Sequence, residues 1–322
     1  MDSTEKLQPM SYKKLQWLSI GVAVAIGWLL TLLVVYELED YGVALFLFMP
    51  FLLGAAPVIL LSRKYSFDKN HAWNTALAAL AVYALGVLLF AIEGLICVIM
   101  GFPIAMLLVW IGSLVGYTFV KKVPANTAAV SVVVLIFLVP LASLIEKDTV
   151  PEITSVVSSI EIDAPPQEVW NTLIAFPPIA EPDELIFKTG IAYPISAEIK
   201  GQGVGAVRHC NFTTGSFVEP ITVWNEPNLL RFDVEQQPAP MRELSFWDID
   251  APHLHDYFVS TQGQFKLTAL PNGRTLLEGT TWYFLNIRPA IYWHLWSNMI
   301  VHAIHERVLE HIKATTESMT KR

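Results

Sequence analysis

The stretch VSVVVLIFLVPLASLIEKDTVP, residues 130–151, decides the fold. Up to Ile145 it is an apolar run, and from Glu146 it turns charged and then strand-forming. Apolar runs of the same kind recur throughout the preceding residues, whereas the following sequence is that of an ordinary water-soluble domain. The break at Ile145-Glu146 therefore separates a membrane half from a soluble half, and any function has to explain why the two are joined.

Composition agrees with that division. The 322 residues are 53% hydrophobic with a mean hydropathy of +0.47, too apolar for two ordinary soluble domains. Residues 1–150 hold 9 Lys+Arg and 9 Asp+Glu, and residues 151–322 hold 12 and 20, so the whole net charge of -8 falls in the second half. An acidic soluble half argues against nucleic acid as a partner and against docking on anionic lipid through charge alone. The two cysteines, Cys97 in an apolar stretch and Cys210 in the soluble half, predict no intramolecular disulfide.

A span needs about 20 apolar residues. Five segments reach that length: Trp17–Tyr36, Tyr41–Leu61, Ala72–Ile92, Leu95–Val120 and Ala125–Ile145. The first follows Lys13 and Lys14 like a signal peptide, but it is long and ends in YELED with no small-residue cleavage site, so it reads as an anchor. Lys and Arg alternate strictly between loops. Lys6, Lys13 and Lys14 precede the first span; Arg63, Lys64 and Lys69 fill the second loop; Lys121 and Lys122 the fourth; the first and third loops hold only Glu37, Glu39, Asp40 and Glu93. Short basic loops stay cytoplasmic. The pattern predicts an inner-membrane protein with a cytoplasmic N-terminal segment at 1–14, five crossings over 15–146 and an extracytoplasmic domain at 152–318. Glu93-Gly94 predicts either a tight hairpin turn or a re-entrant segment, with Glu93 and Cys97 on one face if the helix runs through Gly94. Glu93 is a headgroup-level cap or, being an acid among apolar residues, a functional group. Gly101, Gly112 and Gly116, with Ser113, predict close helix approach, and Pro103 a kink.

Alternation takes over in the soluble half. Strands are predicted at Thr154–Ile162, Ile195–Ile199, Gly203–Phe212, Phe217–Asn225, Leu229–Gln236, Asp256–Leu270 and Arg274–Asn286, the last two joined by the Pro271-Asn272-Gly273 turn. A helix opens at Pro165-Pro166, a short one is expected near Pro178–Ile186, and a long one runs from Pro289 to Ser318. One strand, two small helices, a run of antiparallel strands and a final long helix make an α+β module in which a bent sheet wraps the last helix.

This order of elements resembles the helix-grip fold of the START-like, or SRPBCC, superfamily, and more narrowly its polyketide cyclase/dehydrase-like members, over Ser155 to Glu317. The carriers are IEIDAPPQEVW at 160–170, the turn GQGVG at 201–205, VWNEP at 223–227 and GTTWY at 279–283. The resemblance implies a deep, largely apolar cavity between sheet and C-terminal helix that holds a lipid, sterol, polyketide or similar molecule. It does not by itself imply an enzyme, and function has to come from the site.

Histidine is the main candidate for chemistry: His253 and His255 in a loop, His294, His302, His305 and His311 on the final helix. His294 and His305 differ by about 20° around that helix and share a face, with His302 about 80° off. Such a face, with the loop histidines, predicts an acid/base set of His253, His255, His294 and His305 or, equally, polar groups that hydrogen-bond the backbone or line a groove. His302-Ala303-Ile304-His305-Glu306 has an i,i+3 pair rather than the i,i+4 pair of zinc-binding helices, and no metal or other cofactor is expected. Arg208 and Cys210 alternate to one face of a strand with Phe212, Cys210 reading as a small core residue rather than a nucleophile. Arg231 and Glu219 are expected to form a strand-surface or buried ion pair, or to meet a polar ligand head. The aromatic set ending in Tyr257, Trp282, Tyr292, Trp293 and Trp296, with Phe246 and Trp247, reads as core, cavity lining or a membrane-interface belt. The predicted ligand contacts are Arg208, Cys210, Phe212, Trp224, Arg231, Tyr257, Trp282, Trp293 and His294. The predicted partner is a hydrophobic small molecule or lipid, bound by a domain whose tether, Glu146 to Pro151, reaches about 20 Å.

Overall fold

The computed structural model describes residues 10–146, 150–174 and 178–320. Most of the predicted N-terminal segment, Lys6 included, and residues 147–149 of the predicted tether lie outside the described residues. The chain divides into two compact units, Met1–Thr149 with Ser245–Pro252, and Val150–Leu244 with His253–Arg322.

The first unit is helical: α1 (Tyr12–Leu32), α2 (Met49–Ser62), α3 (Lys69–Leu89), α4 (Leu95–Val120) and α5 (Ala125–Glu146). A π-helical turn, Leu33–Glu37, extends α1 and another, Ala44–Phe48, leads into α2. Among the described residues, four helices are long and apolar enough to cross a membrane: Tyr12–Glu37, Ala44–Ser62, Lys69–Leu89 and Leu95–Val120. The fifth predicted span is also helical over Ala125–Glu146, and its Val130–Glu146 stretch is a shorter apolar helix. Asp68 starts α3 by accepting the His71 backbone N–H at 2.8 Å, which satisfies a donor the helix cannot.

Glu93 lies outside the helices. α3 ends at Leu89, Ala91 takes φ 55° and Gly94 is the extended N-cap of α4, so the helix face expected to join Glu93 to Cys97 is interrupted. The Tyr41 hydroxyl donates to the buried Glu93 carboxylate. Gly112 and Gly116 do bring helices together, because a Cβ on either would press on the α2 backbone at Phe51 and Ala55. Their counterpart is Gly54, which lies against the Val109 backbone, whereas Gly101 has only Phe46 nearby. Ser113 donates to its own helix, at Trp110 O.

The second unit is an antiparallel seven-stranded sheet in the order β1-β7-β6-β5-β4-β3-β2, with one long helix packed on it. The strands are β1 (Thr154–Ile162), β2 (Pro194–Lys200), β3 (Val207–Phe212), β4 (Gly215–Asn225), β5 (Leu229–Asp233), β6 (Phe258–Ala269) and β7 (Thr275–Leu285). Helix α6 (Pro166–Ile174) follows β1, and α7 (Ala290–Thr320) closes the unit. Register shifts in β2, β4 and β6 mark bulges, which bend strands and raise their twist. The sheet curls and its concave face receives α6 and the C-terminal half of α7 through Val169, Trp170, Leu173, Val308, Leu309 and Ile312. Ile312 is fully buried, worth about 1.5–3 kcal/mol for such a side chain. This is the bent sheet wrapped on a final helix that the order of elements predicts.

Two expectations fail locally. The strand expected from Gly203 begins only at Val207, because Gly201, Gly203 and Gly205 all take positive φ and form a turn. The helix expected near Pro178–Ile186 is a single 3-10 turn at Leu185–Thr189; Pro178 and Pro182 withhold the backbone donors a longer helix needs.

Candidate functional site

The concave face is set by hairpin arithmetic. β3 and β4 meet through the loop Thr213-Thr214, with Phe212 opposite Gly215, so Cys210 opposes Phe217 and Arg208 opposes Glu219. Strand alternation sends Arg208, Cys210, Phe217, Glu219, Leu230, Phe232 and Phe265 to the side that carries the core.

Arg208 and Glu219 are 3% and 5% exposed and form an ion pair through the guanidinium Nη1. The Arg208 guanidinium also lies 4.8 Å from the Phe232 ring centroid and 5.7 Å from that of Phe265. Burial, the largest single influence, pulls the Arg208 pKa down, but the Glu219 carboxylate and Cys210 together raise it by more, so the guanidinium stays charged. Burial pushes the Cys210 thiol up to about 11, against the pull of Arg208, which keeps it protonated and unreactive. Phe212 packs against Phe217 with the rings tilted and their centroids 4.9 Å apart. A charged pair under aromatic rings is costly to desolvate and gains only through tight pairing. It gives the apolar face one fixed polar point.

The helix seam carries a second polar set. His305 is buried; its Nε2 lies 2.8 Å from Thr281 Oγ1 and its Nδ1 3.2 Å from Ser158 Oγ, which in turn lies 2.7 Å from His302 Nδ1. One consistent proton placement has Thr281 donating to His305, His305 to Ser158 and Ser158 to His302. Burial pulls His305 down to about 4, with the neighbouring His302 adding to the effect. Nearer the start of α7, the fully buried Tyr283 donates to Asn298 Oδ1 at 2.7 Å and lies 3.1 Å from His294 Nδ1.

The predicted acid/base histidines are held separately. His294 and His305 are about 16 Å apart along the helix axis, each engaged with its own strand partner. His253 is buried in the Pro252–Leu254 turn with Nε2 3.3 Å from Glu243, and His255 is exposed. His311 lines a groove of about 290 Å³ between residues 179–184 and α7, where Arg307 donates to the carbonyls of Pro194 and Ala180.

Among the predicted ligand contacts, Arg208, Cys210 and Phe212 share the concave face, and Trp224 packs at its edge, T-shaped on Trp170 at 5.5 Å. Arg231 and Trp282 point the other way. Arg231 alternates with the core residues Leu230 and Phe232, donates to Gln264 at 2.8 Å and lies over Trp282. The expected Arg231–Glu219 pair is therefore replaced by Arg208–Glu219, because the two expected partners are on opposite faces of the sheet. Trp293 is buried on α7 beside Tyr292, and Tyr257 precedes β6, its carbonyl accepting from the Asn286 backbone N–H. Reading the histidines alone missed Ser158, Thr281 and Asn298; the spacing across the β3–β4 turn was the signal for Arg208–Glu219.

No protein-family model matches the chain, and no curated protein matches it. Among solved structures it is similar to a Nitrosospira multiformis protein solved as a structural-genomics target, at 18% identity and TM-score 0.34, over 52% of this chain and 100% of that one. It is similar to norcoclaurine synthase from Thalictrum flavum, a point mutant in complex with a transition-state analogue, at 10% identity and TM-score 0.34, over 54% and 99% of the two chains. A Bacillus cereus protein is similar at 16% identity and TM-score 0.33, over 52% and 98%.

Proposed function

We propose that the chain is a membrane-anchored binding protein whose curled sheet and α7 hold a hydrophobic, lipid-like molecule, with Arg208–Glu219 as the polar anchor for its head. The observation that carries this reading is the buried ion pair set among Phe232, Phe265, Phe212 and Phe217 on the concave face. An apolar face with a few convergent polar groups orients a ligand as well as enclosing it. The joined apolar helices supply the reason for the architecture: a binder fused to spans meets membrane-dissolved molecules at high effective concentration. With α5 counted as a fifth crossing beside the four longer apolar helices, the basic residues Lys13 and Lys14, Arg63 and Lys64, and Lys121 and Lys122 support a cytoplasmic N-terminus and an extracytoplasmic soluble unit.

The test is solvent extraction of the purified full-length protein followed by mass spectrometry. The expected result is an apolar species in near-stoichiometric amount, retained by wild type and depleted in Cys210→Phe, which places a large ring beside Arg208. Recovery of bulk lipid alone, identical in both proteins, would remove the reading.

A further inference from the structure

Between β5 and β6 the chain makes an excursion, Ser245–Pro252, that belongs to the compact unit of apolar helices rather than to the sheet unit on either side of it in sequence. The excursion presents its aromatic residues outward. Phe246 is 96% exposed and Trp247 58%, while the Trp247 backbone N–H is turned onto Ser245 Oγ at 3.2 Å. Two adjacent rings left in water are apolar area that folding has not buried, and neighbouring exposed rings mark an interaction site.

The remaining surface of that unit identifies the occupant. Leu29 and Leu107, on α1 and α4, are large apolar side chains on the outside of helices of spanning length, and Phe137 is another on the shorter apolar helix α5; where such helices span, lipid is what covers these side chains. The exposed rings of the excursion belong to the same compact unit as those helices. Phenylalanine and tryptophan on a loop are the residue types that partition to the headgroup level, tryptophan through its amphipathic ring. Asp248 follows them, so an anionic lipid surface would repel the loop and a zwitterionic one would not.

We propose that the Phe246-Trp247 loop inserts into the headgroup region of a zwitterionic bilayer, giving the chain a contact with lipid besides its spans. This rests on the apolar helices being spans and is independent of what the concave face binds.

The test uses the full chain with Cys97→Ala, reconstituted in phosphatidylcholine nanodiscs; Cys210 is buried with its thiol pKa raised and resists labelling. Phe246→Cys, Phe137→Cys and Asn272→Cys each carry an environment-sensitive fluorophore. Phe137→Cys should be quenched by lipids spin-labelled deep in the acyl chain. Phe246→Cys should shift to shorter wavelength than Asn272→Cys, be quenched by spin labels near the headgroup, and lose part of that quenching when phosphatidylglycerol is added. Phe246→Cys matching Asn272→Cys, while Phe137→Cys reads hydrocarbon, would overturn the loop contact. A blue shift at Phe246→Cys without lipid quenching would also overturn it, in favour of protein contact. If Phe137→Cys itself reads water, the spanning assignment fails instead.

Discussion

Arg208 and Glu219 stand directly opposite each other in the β3–β4 ladder and pair within the core, with a phenylalanine ring over the guanidinium. Ladder geometry alone brings the two side chains to the same side of the sheet, where neighbouring Cβ atoms are about 5 Å apart. The curl of the sheet and the packed α6 and α7 then remove them from water. Neither charge has an easy way out: each is tolerated because the other is present.

Removing one partner should therefore cost more than removing both. Glu219→Gln leaves the guanidinium buried without its counter-charge and should destabilise the sheet unit by about 3–5 kcal/mol, whereas Arg208→Met with Glu219→Leu should be close to neutral. Amide exchange of β3 and β4 in the detergent-solubilised full chain separates these cases, since it reads the local element rather than a global transition. A single variant as stable as the double one would show that the pair is hydrated.

Acid should loosen the helix seam. The folded-state pKa of His305 is pulled down to about 4 by burial, below the ordinary imidazole value near 6.5. The unfolded chain therefore takes up the proton first as the pH falls. Stability from this group is complete above about pH 6.5 and declines toward pH 4, by roughly 3 kcal/mol in total. His305→Gln, which can still bond Thr281 or Ser158, should flatten that part of the pH profile of α7 and β7 exchange. An unchanged profile would assign the acid response to other groups.

Much of this arrangement was legible before any coordinates. Periodicity located the strands and the long helix because alternating burial along a strand is written directly in residue type, as in β1, and because the turn Pro271-Asn272-Gly273 fixes one hairpin. The partner of Arg208 was less legible: choosing Glu219 over a free choice of charges requires the register, and the register depends on whether the turn holds two residues or three. The chain from His302 through Ser158 to His305 was not legible at all. It joins residues more than 140 positions apart, and nothing local to Ser158 distinguishes it from the serines on either side. The failed helix near Pro178 shows the opposite limit, because the prolines that prevent it, Pro178 and Pro182, stand in the sequence itself.

In the helical unit, glycine rather than side-chain burial should set helix separation. A Cβ at Gly54 would overlap the Val109 backbone, and one at Gly112 the Phe51 carbonyl; backbone cannot swing aside as a side chain can. Gly54→Ala should push α2 from α4 and cost about 1–3 kcal/mol, as overpacking does. Gly21→Ala, with nothing within 4 Å, should leave the midpoint of unfolding in mixed detergent unchanged. Equal tolerance of both substitutions would contradict the close α2–α4 contact.

The two halves of α7 are held differently. Its C-terminal half is fixed by apolar packing through Val308, Leu309 and Ile312. Its N-terminal half exposes Ile291 and Leu295, at 82% and 69%, so fewer of its apolar groups contribute. There the buried Tyr283 hydroxyl ties β7 to Asn298 and His294. Tyr283→Phe keeps the ring stacked on Phe258 but leaves the half-buried Asn298 and His294 without that hydroxyl, a loss of about 1 kcal/mol. Amide exchange should accelerate over residues 290–300 and stay at its wild-type rate over 305–318. Uniform acceleration along the helix would mean that α7 opens as one unit, and that the apolar half is not anchored independently of the hydroxyl.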